Sequence, residues 1–268
     1  MATYSGTAAE ILRQVRASRP VVHNITNYVV MNSTANVLLA MGASPIMAHA
    51  PEEVAEVVGL ANSVVINIGT LSKSWIESMV LGSRVCHIAG KPFVLDPVGA
   101  GATKLRTRTA TQIIEAATPT VIRGNASEIM ALSPEGGITR GVDAVHHVDD
   151  ACDAAHSIAR ALGTVVAVTG ERDVVTDGNR SLVITGGHAL LGYVTGTGCA
   201  ASVVVGAFIS QGSDPVEGTA AALAFFGLAG EWAAREADAP GSFWVKMLDA
   251  LYAISPQDLE SQARIQEA

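Results

Sequence analysis

Regular alternation between short, almost wholly apolar runs and longer helical patterns restricts this chain to very few folds. The runs Ser63-Val64-Val65-Ile66-Asn67-Ile68-Gly69, Pro92-Phe93-Val94-Leu95-Asp96, Thr120-Val121-Ile122-Arg123-Gly124-Asn125 and Thr164-Val165-Val166-Ala167-Val168-Thr169-Gly170 read as buried strands. Residues 51–60, 72–87, 108–117 and 148–162 read as helices, with Glu52 and Glu53 in the first turn of one and Ser72 capping the next. Strands buried on both faces and separated by helices make a parallel sheet covered on each side. Ahead of this pattern, residues 8–17 and 31–41 have helical spacing, Pro20 ends the first of these helices, and residues 44–48 form a short strand. After Gly170 the pattern changes. Residues 173–176 and 181–185, joined by Asp177-Gly178-Asn179, predict a hairpin and hence an antiparallel edge. From Ala200 onward the chain is mostly helical, and no repeat or linker divides it, so residues 1–268 are expected to form a single α/β domain.

The chemistry points to Val194-Thr195-Gly196-Thr197-Gly198-Cys199, which runs into the apolar segment 200–209. Gly196 and Gly198 permit close backbone approach. A helix starting here aims free N–H groups and a positive dipole end into the turn, which suits a phosphate in transfer. Cys199 in that first turn would become more acidic than an ordinary thiol and could take a proton from a substrate hydroxyl. It could equally be a small buried hydrophobe. Gly196-x-Gly198-x-x-Ala201 also fits a dinucleotide fingerprint, but Gln211-Gly212-Ser213-Asp214-Pro215 reads as a turn and a new helix where that motif needs a strand. No G-x-x-x-x-G-K-[ST] occurs, because Gly90-Lys91 runs into Pro92, so a P-loop mechanism is not expected.

Ligands of an open parallel sheet sit beyond the carboxyl ends of its strands. Asp96, then Arg123 with Asn125 and Glu128, then Thr169 stand at three such ends. Asp96 and Glu128 could hold Mg²⁺ directly or through water, since that ion uses one or two carboxylates plus substrate phosphates. Arg123 offers a planar donor fork. Taken singly, Asp96 could simply cap the Pro97 turn and Glu128 favour the dipole of a helix starting at Ala126. Together, upstream of a Gly-Thr-Gly turn, they point to phosphoryl transfer by positioning and charge stabilisation. Asn24, Thr26 and Asn27 either cap the helix at 31–41 or line a substrate pocket, and Met47, at a strand end, is either core filler or pocket lining.

Composition narrows the partners. A chain of 268 residues with net charge −8 lacks the basic surface a nucleic acid requires. Three cysteines with no C-x-x-C pair suggest neither a disulfide framework nor a zinc site, and fit a reduced, cytoplasmic setting. Met1-Ala2-Thr3-Tyr4-Ser5-Gly6 has no signal-peptide character, and no apolar run reaches the roughly 18 residues of a membrane span.

The Gly-Thr-Gly turn opening a late helix, with Asn125-Ala126-Ser127-Glu128 as an N-x-x-E motif, resembles the ribokinase-like kinases. His23-Asn24-Ile25-Thr26-Asn27, Met41-Gly42-Ala43-Ser44-Pro45-Ile46-Met47, Leu95-Asp96-Pro97-Val98-Gly99-Ala100 and Val194-Thr195-Gly196-Thr197-Gly198-Cys199 resemble, more narrowly, the hydroxyethylthiazole kinases of thiamine salvage. Most ribokinase relatives have aspartate where Cys199 stands, and cysteine there marks the thiazole kinase branch. The resemblance implies ATP-dependent, Mg²⁺-assisted phosphorylation of the primary hydroxyl of 4-methyl-5-(2-hydroxyethyl)thiazole. It further implies ATP contacts from Arg123 and Thr169, thiazole contacts from Met47 and Gly196 with help from Asn27, and a homotrimer with active sites between subunits. The rival readings are a kinase for another small heterocyclic alcohol, a catalytically silent nucleotide-binding protein, and, last, an oxidoreductase.

Overall fold

Strands β1 (Val21–Ile25), β2 (Ser44–Met47), β3 (Ser63–Asn67), β4 (Phe93–Asp96), β5 (Val121–Asn125), β6 (Val165–Thr169), β7 (Arg172–Thr176), β8 (Ser181–Thr185) and β9 (Ile265–Glu267) make one sheet, ordered β2-β1-β3-β4-β5-β6-β7-β8-β9. The computed structural model describes residues 3–133 and 148–268, so Met1 and Ala2 of the N-terminal reading lie outside the described residues. From β2 to β6 every pairing is parallel, and β6, β7, β8 and β9 pair antiparallel. The expected edge hairpin is β7–β8. Strand β9 extends it, a pairing the sequence reading missed because three residues carry too little periodicity to register.

The helices are α1 (Tyr4–Ser18), α2 (Met31–Met41), α3 (Val54–Leu60), α4 (Lys73–Ala89), α5 (Lys104–Ala116), α6 (Ala126–Met130), α7 (Val148–Leu162), α8 (Thr197–Ile209), α9 (Pro215–Ala234), α10 (Pro240–Ala253) and α11 (Pro256–Gln262). Side chains of a strand alternate between its two faces, and the core divides accordingly. Val22, Val65, Val94 and Val121 pack with α1, α2, α8, α9 and α10, whereas Val64, Ile66, Leu95 and Ile122 pack with α3, α4, α5 and α7. Caps explain most helix starts. Ser72 accepts from the Trp75 amide as expected, and Thr3 and Thr103 start α1 and α5 four residues earlier than the apolar spacing suggested, at Tyr4 and Lys104. The helix expected from Pro51 begins at Val54, so Glu52 and Glu53 precede it and Glu56 is the acid of its first turn.

Helix α8 places the site. It is apolar all round, and residues 200–209 are buried. A Cβ on Gly206 would lie 2.7 Å from Val65 Cγ2, and Ser63 Oγ donates to the Gly206 carbonyl at 2.7 Å. The helix thus lies flat on β3, with its C-terminal half over the start of that strand. Its N-terminus therefore comes out over the carboxyl ends of β3 and β4.

Candidate active site

Gly196, with φ +86°, is the N-cap of α8, and a Cβ there would lie 2.6 Å from Val30 Cγ1. Only glycine fits this position without strain. The helix begins at Thr197, three residues before the apolar run suggested, so Cys199 is its third residue. The Thr197 hydroxyl donates to the carbonyls of Leu191 (2.9 Å) and Val194 (3.2 Å), which closes the preceding loop onto the helix.

Three strand ends meet this N-terminus. Asp96, 1% exposed, accepts hydrogen bonds at Oδ2 from Asn67 Nδ2 (2.7 Å) and Ser202 Oγ (2.8 Å), while its Oδ1 is buried with no partner. It does not cap the Pro97 turn, which the Ala100 amide closes by donating to the Pro97 carbonyl. Burial pushes the Asp96 carboxyl up to about 6; the nearby Arg123 opposes this and the Glu128 charge adds to it. An unpartnered carboxylate oxygen in a buried site fits an incoming cation. Glu128, 8% exposed, is held differently: Oε1 accepts from the Gly99 amide (2.8 Å) and Oε2 from the Asn125 amide (2.9 Å), the latter closing a capping box with Asn125 at the start of α6. Its contact with a metal would therefore run through water or through the lone pairs left over. Among the described residues, no group of three His, Cys, Asp or Glu could hold a metal unaided.

Arg123 Nη2 donates to Thr169 Oγ1, and Thr169 donates to the Gly124 carbonyl at 3.3 Å, so the guanidinium is steered by the neighbouring strand end. Its Nε is buried without a partner. Arg123, Asn125, Thr169, Asp173 and Gly198 line a cavity of about 400 Å³ that runs between β6–β7 and α9.

On the other side of Asp96, Asn27 donates from one nitrogen to Asn67 Oδ1 (2.8 Å) and Cys199 Sγ (3.7 Å), while its Oδ1 accepts from the Val29 amide. This answers the capping question, since the N-cap of α2 is Val30 and has no side-chain bond. Burial pushes the Cys199 thiol up to about 12, and the Asp96 charge adds to that shift. The shift runs against the expected acidic thiol: desolvation and the Asp96 charge outweigh the hydrogen bonds from Asn67 and Asn27 and the charge of Arg123. Met47, partly buried, ends the edge strand β2, two strands from β3, and its register partner is Asn24. It is the expected site residue that the fold leaves at the margin. Asn67 and Ser202 were missed by the sequence reading. The signal for Asn67 was a lone amide ending a fully apolar strand, whereas Ser202, inside an apolar helix, gave none. His23 is buried with Nε2 on the Ala48 carbonyl, and burial lowers its pKa. His49 packs against Trp75, and His188 caps a short 3-10 helix at 189–193.

Outside this site, no helix among the described residues is long and apolar enough to cross a membrane.

The sheet order and the glycines at the mouth of α8 fit a ribokinase-like α/β protein. A ribokinase-like superfamily protein from Enterococcus faecalis V583 superposes with TM-score 0.68 at 16% identity over 95% of both chains, and pyridoxal kinase from Staphylococcus aureus in complex with AMP-PCP with TM-score 0.65 at 16% identity over 93% of this chain and 99% of the other. The narrower match is to the hydroxyethylthiazole kinase family, whose model covers residues 12–257. Hydroxyethylthiazole kinase of Desulfotalea psychrophila is 54% identical over the whole of this chain and 98% of its own, and the structure of the hydroxyethylthiazole kinase protein of Pyrococcus horikoshii OT3 superposes with TM-score 0.90 at 48% identity over 98% and 99% of the two chains. The chain belongs to the hydroxyethylthiazole kinase family.

Proposed function

We propose that this protein transfers the γ-phosphoryl group of ATP to the primary hydroxyl of 4-methyl-5-(2-hydroxyethyl)thiazole, as one kinase domain spanning residues 1–268. Family membership supports the reaction, and one observation supports the place: the N-terminus of α8 carries Cys199 between the buried Asp96 and the amide of Asn27, beside the Arg123 cavity. Arg123 and Thr169 bind the polyphosphate, with the orphaned Nε available to a phosphate oxygen. The free N–H groups of residues 197–199 stabilise charge that gathers on the migrating group. Asp96 and Glu128 would hold Mg²⁺, which would supply positive charge against the phosphoryl oxygens and offset the carboxylate charge that bears on the thiol.

On the acceptor side Gly196 and Met47 contact the thiazole, as the family resemblance implies, and Asn27 orients Cys199. Cys199, neutral in the unloaded site, accepts the hydrogen bond of the hydroxyl. A loose phosphoryl-transfer transition state needs little deprotonation early, so a neutral thiol that only orients the hydroxyl is compatible with a proton that passes late to an oxygen of the transferred phosphoryl group. A homotrimer is proposed with this activity, supported by the exposed apolar side chains Tyr28, Val29 and Leu39 on α2 and its lead-in, beside the edge strand that carries Met47. A cytoplasmic setting is supported by cysteines that form no disulfide among the described residues.

Incubation with MgATP and the thiazole alcohol is expected to yield its phosphate ester, identified by mass spectrometry. Phosphorylation of a hydroxymethylpyrimidine or a pyridoxal-type alcohol in its place would move the substrate assignment. ATP binding without transfer would leave a nucleotide-binding protein.

A further inference from the structure

We propose that Asn67 is the positioning residue that holds the two halves of the site in register. Its amide is 1% exposed and tied on both sides: Nδ2 donates to Asp96 Oδ2 at 2.7 Å and faces the Cys199 thiol, and Oδ1 accepts from Asn27 Nδ2 at 2.8 Å and from the Gly69 amide at 2.9 Å. Because Asn27 Nδ2 also reaches Cys199 Sγ at 3.7 Å, one chain of side chains runs from the carboxylate to the thiol: Asp96, Asn67, Asn27, Cys199. The packing leaves the chain no slack. A Cβ on Gly69 would lie 2.5 Å from Asn27 Nδ2 and 3.0 Å from Asn67 Oδ1. By occupying Oδ2 together with Ser202, Asn67 also fixes which oxygen of Asp96 remains without a partner. Buried amides are chosen for such a place because they donate and accept in fixed directions and carry no charge. Asn67 touches neither substrate. It sets the position of the groups that do.

This inference rests on the kinase reading for its kinetic arm only. Three variants separate the links. Asn67→Asp keeps both acceptor bonds and replaces the neutral donor to Asp96 with a second carboxyl that must share a proton with it; Asn67→Ala loses every link; Ser202→Ala removes a donor to Asp96 and leaves the Asn27–Cys199 contact alone. With the thiazole alcohol and MgATP, Asn67→Asp and Asn67→Ala should each lower kcat by about 10- to 100-fold, the range seen when partners of a site carboxylate are removed, with KM for ATP within about threefold of the parent. In the second arm, without nucleotide or metal, iodoacetamide labelling of Cys199 followed by peptide mass spectrometry should change in rate by at least about threefold in Asn67→Ala and stay within about twofold of the parent in Ser202→Ala. If Asn67→Ala does not fold, Asn27→Ala replaces it in the labelling arm. A folded Asn67→Asp with parental kcat overturns the proposal, as do kcat and KM for ATP falling off together or a Cys199 labelling rate indifferent to the Asn67–Asn27 link. A parent enzyme that forms no phosphate ester overturns the kinase reading instead, and the labelling arm still decides the role of Asn67.

Discussion

Arg123 and Gly198 share a space that admits only one side chain: a Cβ on Gly198 would lie 2.8 Å from Arg123 Nη1 and 3.3 Å from Nη2. The glycine is in the first turn of α8 with ordinary backbone angles, so its purpose is clearance and not conformational freedom. Gly198→Ala should push the guanidinium away from Thr169 while the helix, if anything, gains from alanine. Losing a charge-assisted hydrogen bond to a phosphate costs about 1.5–3 kcal/mol, so KM for ATP should rise by roughly 10- to 100-fold at unchanged Tm. Parental ATP kinetics in the alanine variant would show that Arg123 is not held by this contact.

The buried thiol of Cys199, with its pKa near 12, makes a prediction of its own. Between pH 7 and 10 its alkylation rate in the unloaded protein should climb about tenfold per pH unit without a plateau, because the reactive thiolate is always the minor form. An apparent pKa below about 8.5 would restore the acidic thiol that the helix terminus alone suggests. Cys199→Ala should lower kcat by up to about 10²-fold if the sulfur orients the hydroxyl, with ATP binding hardly altered, and unchanged turnover would reject that role.

These residues also mark where the sequence stops being readable. The alternation of Val64 and Val65, or Val94 and Leu95, between two cores is visible as continuous apolar runs, which is why the parallel sheet and its edge hairpin were legible. Asp96, Arg123, Glu128 and Thr169 stood out because charge and hydroxyl close apolar strands. Asn67 closed one too, but its meaning lies in partners 40 residues before it and 29 after it, which periodicity cannot supply. The ionisation of Cys199 was misread for the same reason. The helix start is local and visible, whereas the carboxylate and the desolvation that overrule it come from other parts of the chain.

Asp173, on the wall of the Arg123 cavity, should make stability depend on pH. Burial pushes its carboxyl up to about 6, against the Gly170 amide and the charge of Arg123. A carboxyl raised on folding contributes stability that is fully present below its unfolded pKa of about 3.9 and is lost as pH rises through about 6. Asp173→Asn cannot ionise, so its Tm relative to the parent should increase between pH 4 and 7, by a free energy of at most about 3 kcal/mol. A constant Tm difference across that range would mean that Asp173 titrates normally.

Asp96 offers the sharpest test of the metal assignment, because its two oxygens have separate duties. EDTA should abolish turnover and Mg²⁺ restore it. In Asp96→Asn the amide oxygen can still accept from Asn67 and Ser202, which preserves the packing of β3, β4 and α8, while the remaining position becomes an NH₂ that cannot bind a cation. The Mg²⁺ concentration for half-maximal activity should then rise by about tenfold or more, and kcat should fall. Glu128→Gln should be milder toward Mg²⁺ and harsher on Tm, since both of its oxygens hold backbone amides at the Gly99 turn and the start of α6. If the two variants trade these effects, Glu128 is the residue in contact with the ion and Asp96 serves only to order the thiol side of the site.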